Sequence, residues 1–274
     1  MMCRLLNISR SAYYHWLNSD KPEQRAKRHL ELLEKIERVH QESHGIYGSP
    51  RVHAVLLQEH VRASVNTVAR LMRHAGIVGR VRRKYRATTD SNHSERIARN
   101  VLKRDFGTLE PDSVWCADIS AIPTRSGFVY LAVVIDVATR LVVGWSMERH
   151  METSLIQQAL KNALSWRKPA KGILHHSDRG SQYASKKYRR LLKSKRIRCS
   201  MSRKGNCWDN ALMESFFGSF KQEWAHHHDY EGLVPARRSA FEYIELFYNR
   251  RRLHSSLGNR TPAEVDKARS RAAA

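Results

Sequence analysis

The sequence predicts an α/β fold in two parts, a helical N-terminal region followed by a mixed five-stranded sheet flanked by helices. Three observations carry this expectation. Residues 1–104 read almost wholly as helix and hold 21 basic and 9 acidic residues, whereas the remaining 170 hold 28 and 17 and contain the strand signals. In that second part, three consecutive runs rich in Val, Ile and aromatic residues are joined by short turns, which is the pattern of an antiparallel meander. Strand-like and helical stretches then alternate, which implies parallel neighbours and helices on the faces of the sheet.

The helical part opens with "ISRSAYYHWL", which has the pattern of the second half of a helix-turn-helix cut off by the start of the chain. Two short helices follow, "SPRVHAVLLQEH" and "SVNTVARLMRHAG", the second opened by Ser64 and closed by Gly76. With that second helix in a major groove, Asn66, Thr67 and Arg70 are placed to meet DNA. Directly after it, "RVRRKYR" sets five basic residues in seven, and Arg82, Arg83 and Lys84 there are expected on phosphates. "RATTDSNHSER" reads as a linker.

Charge agrees with a polyanionic partner. Lys and Arg number 49 against 26 Asp and Glu, a formal charge of +23 with a sequence pI near 10.4. Nucleic acid fits best, because neutralising phosphates supplies most non-specific affinity. A membrane surface would want an amphipathic anchor or a lipid signal, and neither is evident. The longest apolar run, "FVYLAVVIDVATRLVVGW", is interrupted by Asp136 and Arg140, and the N-terminus has no signal-peptide pattern. The expected location is the cytoplasm, in association with the nucleoid. Cys3, Cys116, Cys199 and Cys207 lack the paired spacing of a zinc site or disulfide framework. The three consecutive histidines at 226–228 would point in different directions on a helix.

The second part begins with strands over "SVWCADISAIPT", "GFVYLAVVIDVAT" and "RLVVGWSM". A helix at about 153–166, a short strand in "GILHHSD", a basic helix at about 184–195 and a strand near "IRCSMS" complete the sheet. The loop "RKGNCW" then leads into a helix whose Leu212, Met213, Phe216, Phe217, Phe220 and Trp224 form one apolar stripe. Glu214 lies just off that stripe, sharing its edge with Asn210 and Lys221, and Asp209 or Asn210 can cap the helix start. Asp118 lies in the first strand and Asp178 ends the fourth, where sites form in such sheets. If those two strands pair, the aspartates come close, and a Glu214 helix packed on the same sheet adds a third carboxylate. Crowded carboxylates either raise one another's pKa or bind a cation, and oxygen-only ligands select Mg²⁺ or Mn²⁺. Two such ions can clamp a phosphodiester. Asp136 is a possible fourth ligand but reads better as a structural residue at a strand end. His175 and His176 precede Asp178, and alternation along a strand turns one of them away from the site, with His176 expected as a packed residue. From Lys186 to Lys204 there are ten basic residues and no acid, which favours contact with a DNA backbone.

These residues resemble the insertion-sequence transposases of the two-reading-frame type, whose catalytic core is like that of retroviral integrases. The resemblance is carried by "WCADIS", "VIDVATR", "HHSDRGSQY", "SRKGNCWDNALMESFFGSFKQEW" and "YNRRRLHSSLGNRTPAEV", and by the 35 residues between Asp178 and Glu214. It implies a ribonuclease-H-like core with Asp118, Asp178 and Glu214 as catalytic and metal-holding triad, using two Mg²⁺ or Mn²⁺ ions. Lys221 would contact DNA near the reacting phosphate, and Asn210 matches a polar position one turn before the glutamate. Ala121 stands where an aromatic is common in the family and Ser120 where threonine is, neither a ligand.

The expected divisions are an N-terminal helical segment at 1–29, a helix-turn-helix domain at 30–88, a linker at 89–107, an integrase core at 108–228 and a helical extension at 229–274. The resemblance implies cleavage at the ends of an insertion element and strand transfer into target DNA, through a circular form of the element. It also implies an upstream-frame protein, as partner or frameshift fusion, and a homo-oligomer on DNA. The start "MMCRLLNISRS" fits a chain made to be joined. Two rivals are a ribonuclease-H-like nuclease acting on RNA–DNA hybrids, which would not need the helix-turn-helix or "YNRRRLHSSLG", and a non-catalytic DNA-binding regulator.

Overall fold

The computed structural model describes residues 3, 8–17, 22–80, 97–102, 110–203 and 210–272. The chain divides into two compact units, Met1–Gly79 and Arg80–Ala274.

The first unit holds α1 (Arg10–Leu17), α2 (Pro22–Glu42), α3 (Ser49–Gln58) and α4 (Val65–His74). Ile36 and Val39 of α2, Val52 and Leu56 of α3, and Val68 and Met72 of α4 are buried together with Ile46 and Tyr47. Each helix thus turns one apolar stripe, spaced three or four residues, toward its neighbours. The start of α4 is fixed as expected: the Thr67 backbone N–H donates to Ser64 Oγ at 3.1 Å. Gly76, at φ +67°, takes the left-handed conformation just past the end of the helix. The linker expected at 89–107 lies outside the described residues except for 97–102.

The second unit is built on five strands: β1 (Val114–Thr124), β2 (Gly127–Asp136), β3 (Val142–Glu148), β4 (Leu174–Ser177) and β5 (Arg198–Met201). Their order is β3-β2-β1-β4-β5. The meander β1-β2-β3 is antiparallel, and β1-β4 and β4-β5 are parallel. Parallel neighbours need crossovers, here α5 (Thr153–Arg167) before β4, then α6 (Ser181–Ala184) and α7 (Lys186–Ser194) before β5. The basic helix expected at about 184–195 is α7, preceded by the short α6; between them Ser185 leaves helical geometry at ψ 143°, and its Oγ caps α7 by accepting from Tyr188 N–H. After β5 come α8 (Ala211–Glu223), α9 (Leu233–Phe241), a π-helical stretch at Glu242–Tyr248 and α10 (Pro262–Ala272).

Strand β2 is buried without interruption from Leu131 to Asp136, as an internal strand covered on both faces must be. On one face α5 lays Leu155, Ile156, Ala159, Leu160 and Ala163 against Trp115, Ala117, Val134 and Val143. The approach is close enough to require glycine at 144: a Cβ there would sit 2.5 Å from the Ala159 carbonyl oxygen and 2.6 Å from the Ala163 nitrogen. Asp136 has the structural role favoured above. Its Oδ1 accepts from the Thr139 N–H at 2.8 Å and the Thr139 hydroxyl at 2.7 Å, and its Oδ2 accepts from the Asp112 N–H at 2.8 Å, which fixes the β2-β3 turn. Arg167, at the end of α5, ties Asp112 and Asp266 together with charge-assisted bonds of 2.6–3.0 Å, anchoring α10 to the sheet.

The outer edge of β3 is covered by side chains. Asn249 Oδ1 accepts from the Val142 N–H and its Nδ2 donates to the Val142 carbonyl, while Asn162 donates to the Trp145 carbonyl and Arg237 to that of Met147. An edge strand so occupied is a poor template for pairing with another chain.

Gly144→Ala is expected to destabilise the protein by about 1–3 kcal/mol, the cost of forcing atoms into a filled interior. Urea unfolding measures it; an unchanged midpoint would mean that the β3-α5 approach has slack.

Candidate active site and nucleic-acid surface

The parallel ladder between β1 and β4 pairs Trp115 with His175, Cys116 with His176 and Ala117 with Ser177. One residue further on each strand are Asp118 and Asp178. Strand β4 stops there because Asp178 Oδ1 accepts from the Gly180 N–H at 2.9 Å, a local turn that sends the chain into α6. Asp118 Oδ1 accepts from the Ile119 N–H at 2.8 Å, and its Oδ2 accepts from Asn210 Nδ2 at 3.0 Å.

That last bond corrects one expectation. Asn210 stands at the cap position of α8 but makes no side-chain cap bond, because its amide is committed to Asp118. It is 7 % exposed, and its Oδ1 has no hydrogen-bond partner among the described residues. Asp209, the other cap candidate, lies outside the described residues. Glu214 follows one turn along α8, half-buried at the border of a stripe in which Leu212, Met213, Phe216, Phe217 and Phe220 are all buried. The rings of that stripe meet the C-terminal extension as well: Phe216 lies edge-on to Tyr248 with centroids 4.9 Å apart, and Phe220 is 5.0 Å from Tyr243. Both the extension and β1 therefore seat the helix.

Asp118 keeps part of its surface accessible, yet the protein packed round it makes desolvation the largest influence on its carboxyl. Burial first, then the charge of Asp178 and more weakly that of Glu214, hold its pKa well above the ordinary carboxylate range. The Ile119 N–H and the Asn210 amide pull the other way. The three carboxylates thus share one electrostatic field. Among the described residues, however, no three His, Cys, Asp or Glu side chains are gathered closely enough to hold a metal ion between them.

Residues around the carboxylates are engaged in packing. His176 contacts Ser200 Oγ through Nδ1 at 2.8 Å and Ser202 Oγ through Nε2 at 3.3 Å, and His175 Nε2 lies 3.0 Å from the Tyr188 hydroxyl. Burial, and secondarily the neighbouring His176, push the His175 pKa down to about 3, so the ring is neutral at physiological pH. Tyr183 was not singled out by sequence. It is buried, its hydroxyl has no hydrogen-bond partner among the described residues, and burial and then the charges of Asp118, Tyr188 and Asp178 raise its pKa. The only signal for it was its place in "HHSDRGSQY", five residues after Asp178.

The residues expected on DNA divide into several groups. On α4, Asn66 and Arg70 are exposed, while Thr67 is half-buried with its hydroxyl 3.0 Å from Ser64 Oγ. Arg73, exposed one turn beyond Arg70, extends the same helix face and was missed. Arg82, Arg83, Lys84 and Lys204 lie outside the described residues. Lys221 is enclosed, at 7 % exposure, and its charge lowers the pKa of His226, after burial has done so first. On α7 only Tyr188 and Leu192 are buried, so Lys186, Lys187, Arg190 and Lys193 face outward, joined beyond the helix by exposed Lys195, Arg196 and Arg198. Among the described residues no helix is long and apolar enough to cross a membrane.

Comparison with known proteins places these features in a family. Residues 109–207 and 195–262 match two models of an integrase core domain, and residues 27–85 match an HTH-like domain. The chain is 39 % identical over 262 residues to the insertion element IS600 uncharacterized 31 kDa protein of Shigella sonnei, covering 96 % of each. It is 38 % identical to the transposase for insertion sequence element IS629 of Shigella sonnei, over 97 % of this chain and 90 % of that one. It is 37 % identical to the transposase InsF for insertion sequence IS3A of Escherichia coli strain K12, over 97 % and 92 %. Among solved structures, a chain of the simian T-cell lymphotropic virus intasome in complex with PP2A regulatory subunit B56 gamma shares the fold. Its TM-score is 0.50 at 16 % identity, over 84 % of this chain and 74 % of that one. The chain belongs to the insertion-sequence transposases, with an integrase core following an HTH-like domain.

Proposed function

We propose that this transposase cuts DNA at the ends of an insertion sequence and joins the resulting 3′-hydroxyls to target DNA, with Asp118, Asp178 and Glu214 as the carboxylates that hold two divalent cations. The observation that carries this reading is the shared field of the three groups, in which ionised Asp118 is disfavoured by burial and by Asp178. The donor set fits a hard cation: it offers oxygen ligands only, and all three side chains are partly accessible. When bound, Mg²⁺ or Mn²⁺ would activate the attacking oxygen and stabilise the leaving oxygen of the phosphodiester.

The chain's own residues supply placement. The β1-β4 register holds the two aspartates side by side, and the Asn210 amide orients the Asp118 carboxylate through Oδ2. Asn66 and Arg70 on α4 would contact bases or phosphates, and the outward cations of α7 would neutralise backbone charge beside the reacting segment. Lys204 would meet DNA close to the cut, whereas Asn210, committed to Asp118, and Lys221, enclosed at 7 % exposure, are withdrawn from direct contact in this conformation. The same reading includes a homo-oligomer on DNA and an upstream-frame protein, as partner or frameshift fusion, for end recognition.

With a labelled terminal-repeat duplex and Mn²⁺, the wild type is expected to nick and join strands. Asp178→Asn is expected to lose more than about 100-fold of both activities, beyond the 10–100-fold cost of disturbing a ligand's outer partners, with duplex binding preserved. Cleavage confined to RNA–DNA hybrids would replace this reading with a nuclease.

A second expectation concerns pH. Because the folded pKa of Asp118 is raised, the stability linked to its protonation is full below the ordinary carboxylate value of about 4 and is lost as pH rises through the folded value. Asp118→Asn should therefore melt above the metal-free wild type at pH 8, by about 2–4 °C for each kcal/mol recovered. The advantage should vanish as pH falls toward about 4. Added Mn²⁺ should raise the melting point of the wild type and leave the variant unmoved.

Replacing Lys186, Lys187, Arg190 and Lys193 together by Ala should lower the slope of log binding constant against log salt by roughly 2 or more, at about 0.9 for each phosphate no longer neutralised. An unchanged slope in a fluorescence-anisotropy titration would remove α7 from the DNA path.

A further inference from the structure

The motif "YNRRRLHSSLG" supplies none of the three carboxylates, yet Tyr248, Asn249, Arg252 and Leu253 are each no more than 4 % exposed. Its polar members reach in two directions. Asn249 matches both backbone groups of Val142 on β3, at 3.0 and 3.1 Å, as one residue of an added strand would. Three residues later Arg252 turns to α8, where Nε donates to Glu223 Oε2 at 2.6 Å and Nη2 donates to Glu223 Oε1 at 2.5 Å and to Ser219 Oγ at 3.1 Å. The Tyr243 hydroxyl also donates to Glu223 Oε2, at 3.4 Å.

Helix α8 is thereby pinned at both ends. At its start Asn210 holds Asp118, and at its last residue Glu223 is held by Arg252, with Glu214 between the two. The second pin refers back to the same sheet, since β3 pairs with β2 and β2 pairs Val133 with Asp118. Aromatic contacts alone leave a helix free to slide or roll against its neighbours, whereas a guanidinium fork on a carboxylate fixes direction as well as distance.

We propose that Arg252 is a positioning residue for Glu214: through Glu223 and Ser219, and with Asn249 anchored on β3, it sets the roll and axial placement of α8, and with them how far the third carboxylate stands from the two aspartates. This rests on the metal-holding reading of the triad given above. A misplacement of about 1 Å is enough to cost on the order of 100-fold in rate, so a distant brace can govern the reaction without touching DNA.

The test uses the full chain and exploits a property of buried ion pairs: losing one partner is damaging, but replacing both with apolar residues is often neutral for stability. The double variant Glu223→Leu/Arg252→Met and the single variant Arg252→Lys are compared with wild type by thermal melting, by Mn²⁺ titration calorimetry without DNA, and by strand joining. The expected result is a double variant that melts near wild type yet binds Mn²⁺ about tenfold more weakly and joins strands roughly 100-fold more slowly. Arg252→Lys, which keeps the charge but not the fork, is expected to shift in the same direction by less. Wild-type Mn²⁺ affinity in a folded double variant would overturn the proposal, as would a loss of affinity that only tracks the loss of folded protein. Should the double variant fail to fold, Arg252→Lys decides by the same comparison. Asp178→Asn is the control that separates the two readings: if it leaves Mn²⁺ binding unchanged, the metal assignment itself is wrong and the proposal falls with it, whereas a lost Mn²⁺ signal in that control confines any failure to Arg252.

Discussion

Parallel pairing of β4 on β1, with Ala117 opposite Ser177, leaves the next residue of each strand as an aspartate, and the remaining architecture serves to keep those two acids adjacent. The arrangement is destabilising in a bare protein. Burial and the neighbouring charge disfavour ionised Asp118, and among the described residues two donors, the Ile119 N–H and the Asn210 amide, compensate it. An acid so placed, in a chain of formal charge +23, is a functional-site candidate on physical grounds.

Two kinds of buried acid show the difference. Asp136 accepts from three donors at 2.7–2.8 Å and closes a turn; burial still raises its pKa, but those donors oppose the rise locally. Glu223 is answered by Arg252 with two bonds and joins the C-terminal extension to α8. Asp118 has fewer donors among the described residues and faces like charges, which is the environment on which the proposed metal-holding role rests. Burial alone does not separate these roles; the count and sign of the surrounding partners do.

The basic residues divide in a similar way. Arg167 and Arg252 are enclosed and joined to carboxylates, acting as internal ties. Lys186, Lys187, Arg190 and Lys193 stand outward on a helix whose only buried residues are Tyr188 and Leu192. A large net positive charge therefore overstates the surface available to DNA, because part of it is consumed inside the fold. Part of the exposed portion lies on α7 and the turn that follows it.

Much of this protein was legible from its sequence because the signals are local. Alternating apolar runs marked the meander, Ser64 and Gly76 marked the limits of α4, and the stripe from Leu212 to Trp224 marked α8 with Glu214 on its border. Spacing and motif similarity singled out Asp118, Asp178 and Glu214 without any coordinates. Other features depend on partners remote in sequence, and no periodicity encodes them. The diversion of Asn210 from its cap to Asp118 spans 92 residues, the Asn249 bond to Val142 spans 107, and the enclosure of Lys221 and the burial of the Tyr183 hydroxyl arise only once layers pack. The sequence by itself determined on which elements the candidate residues lie, since helix and strand periods are set within a few residues. Tertiary structure alone decided which polar groups remain available for it, because a donor committed to one partner by packing is withdrawn from every other.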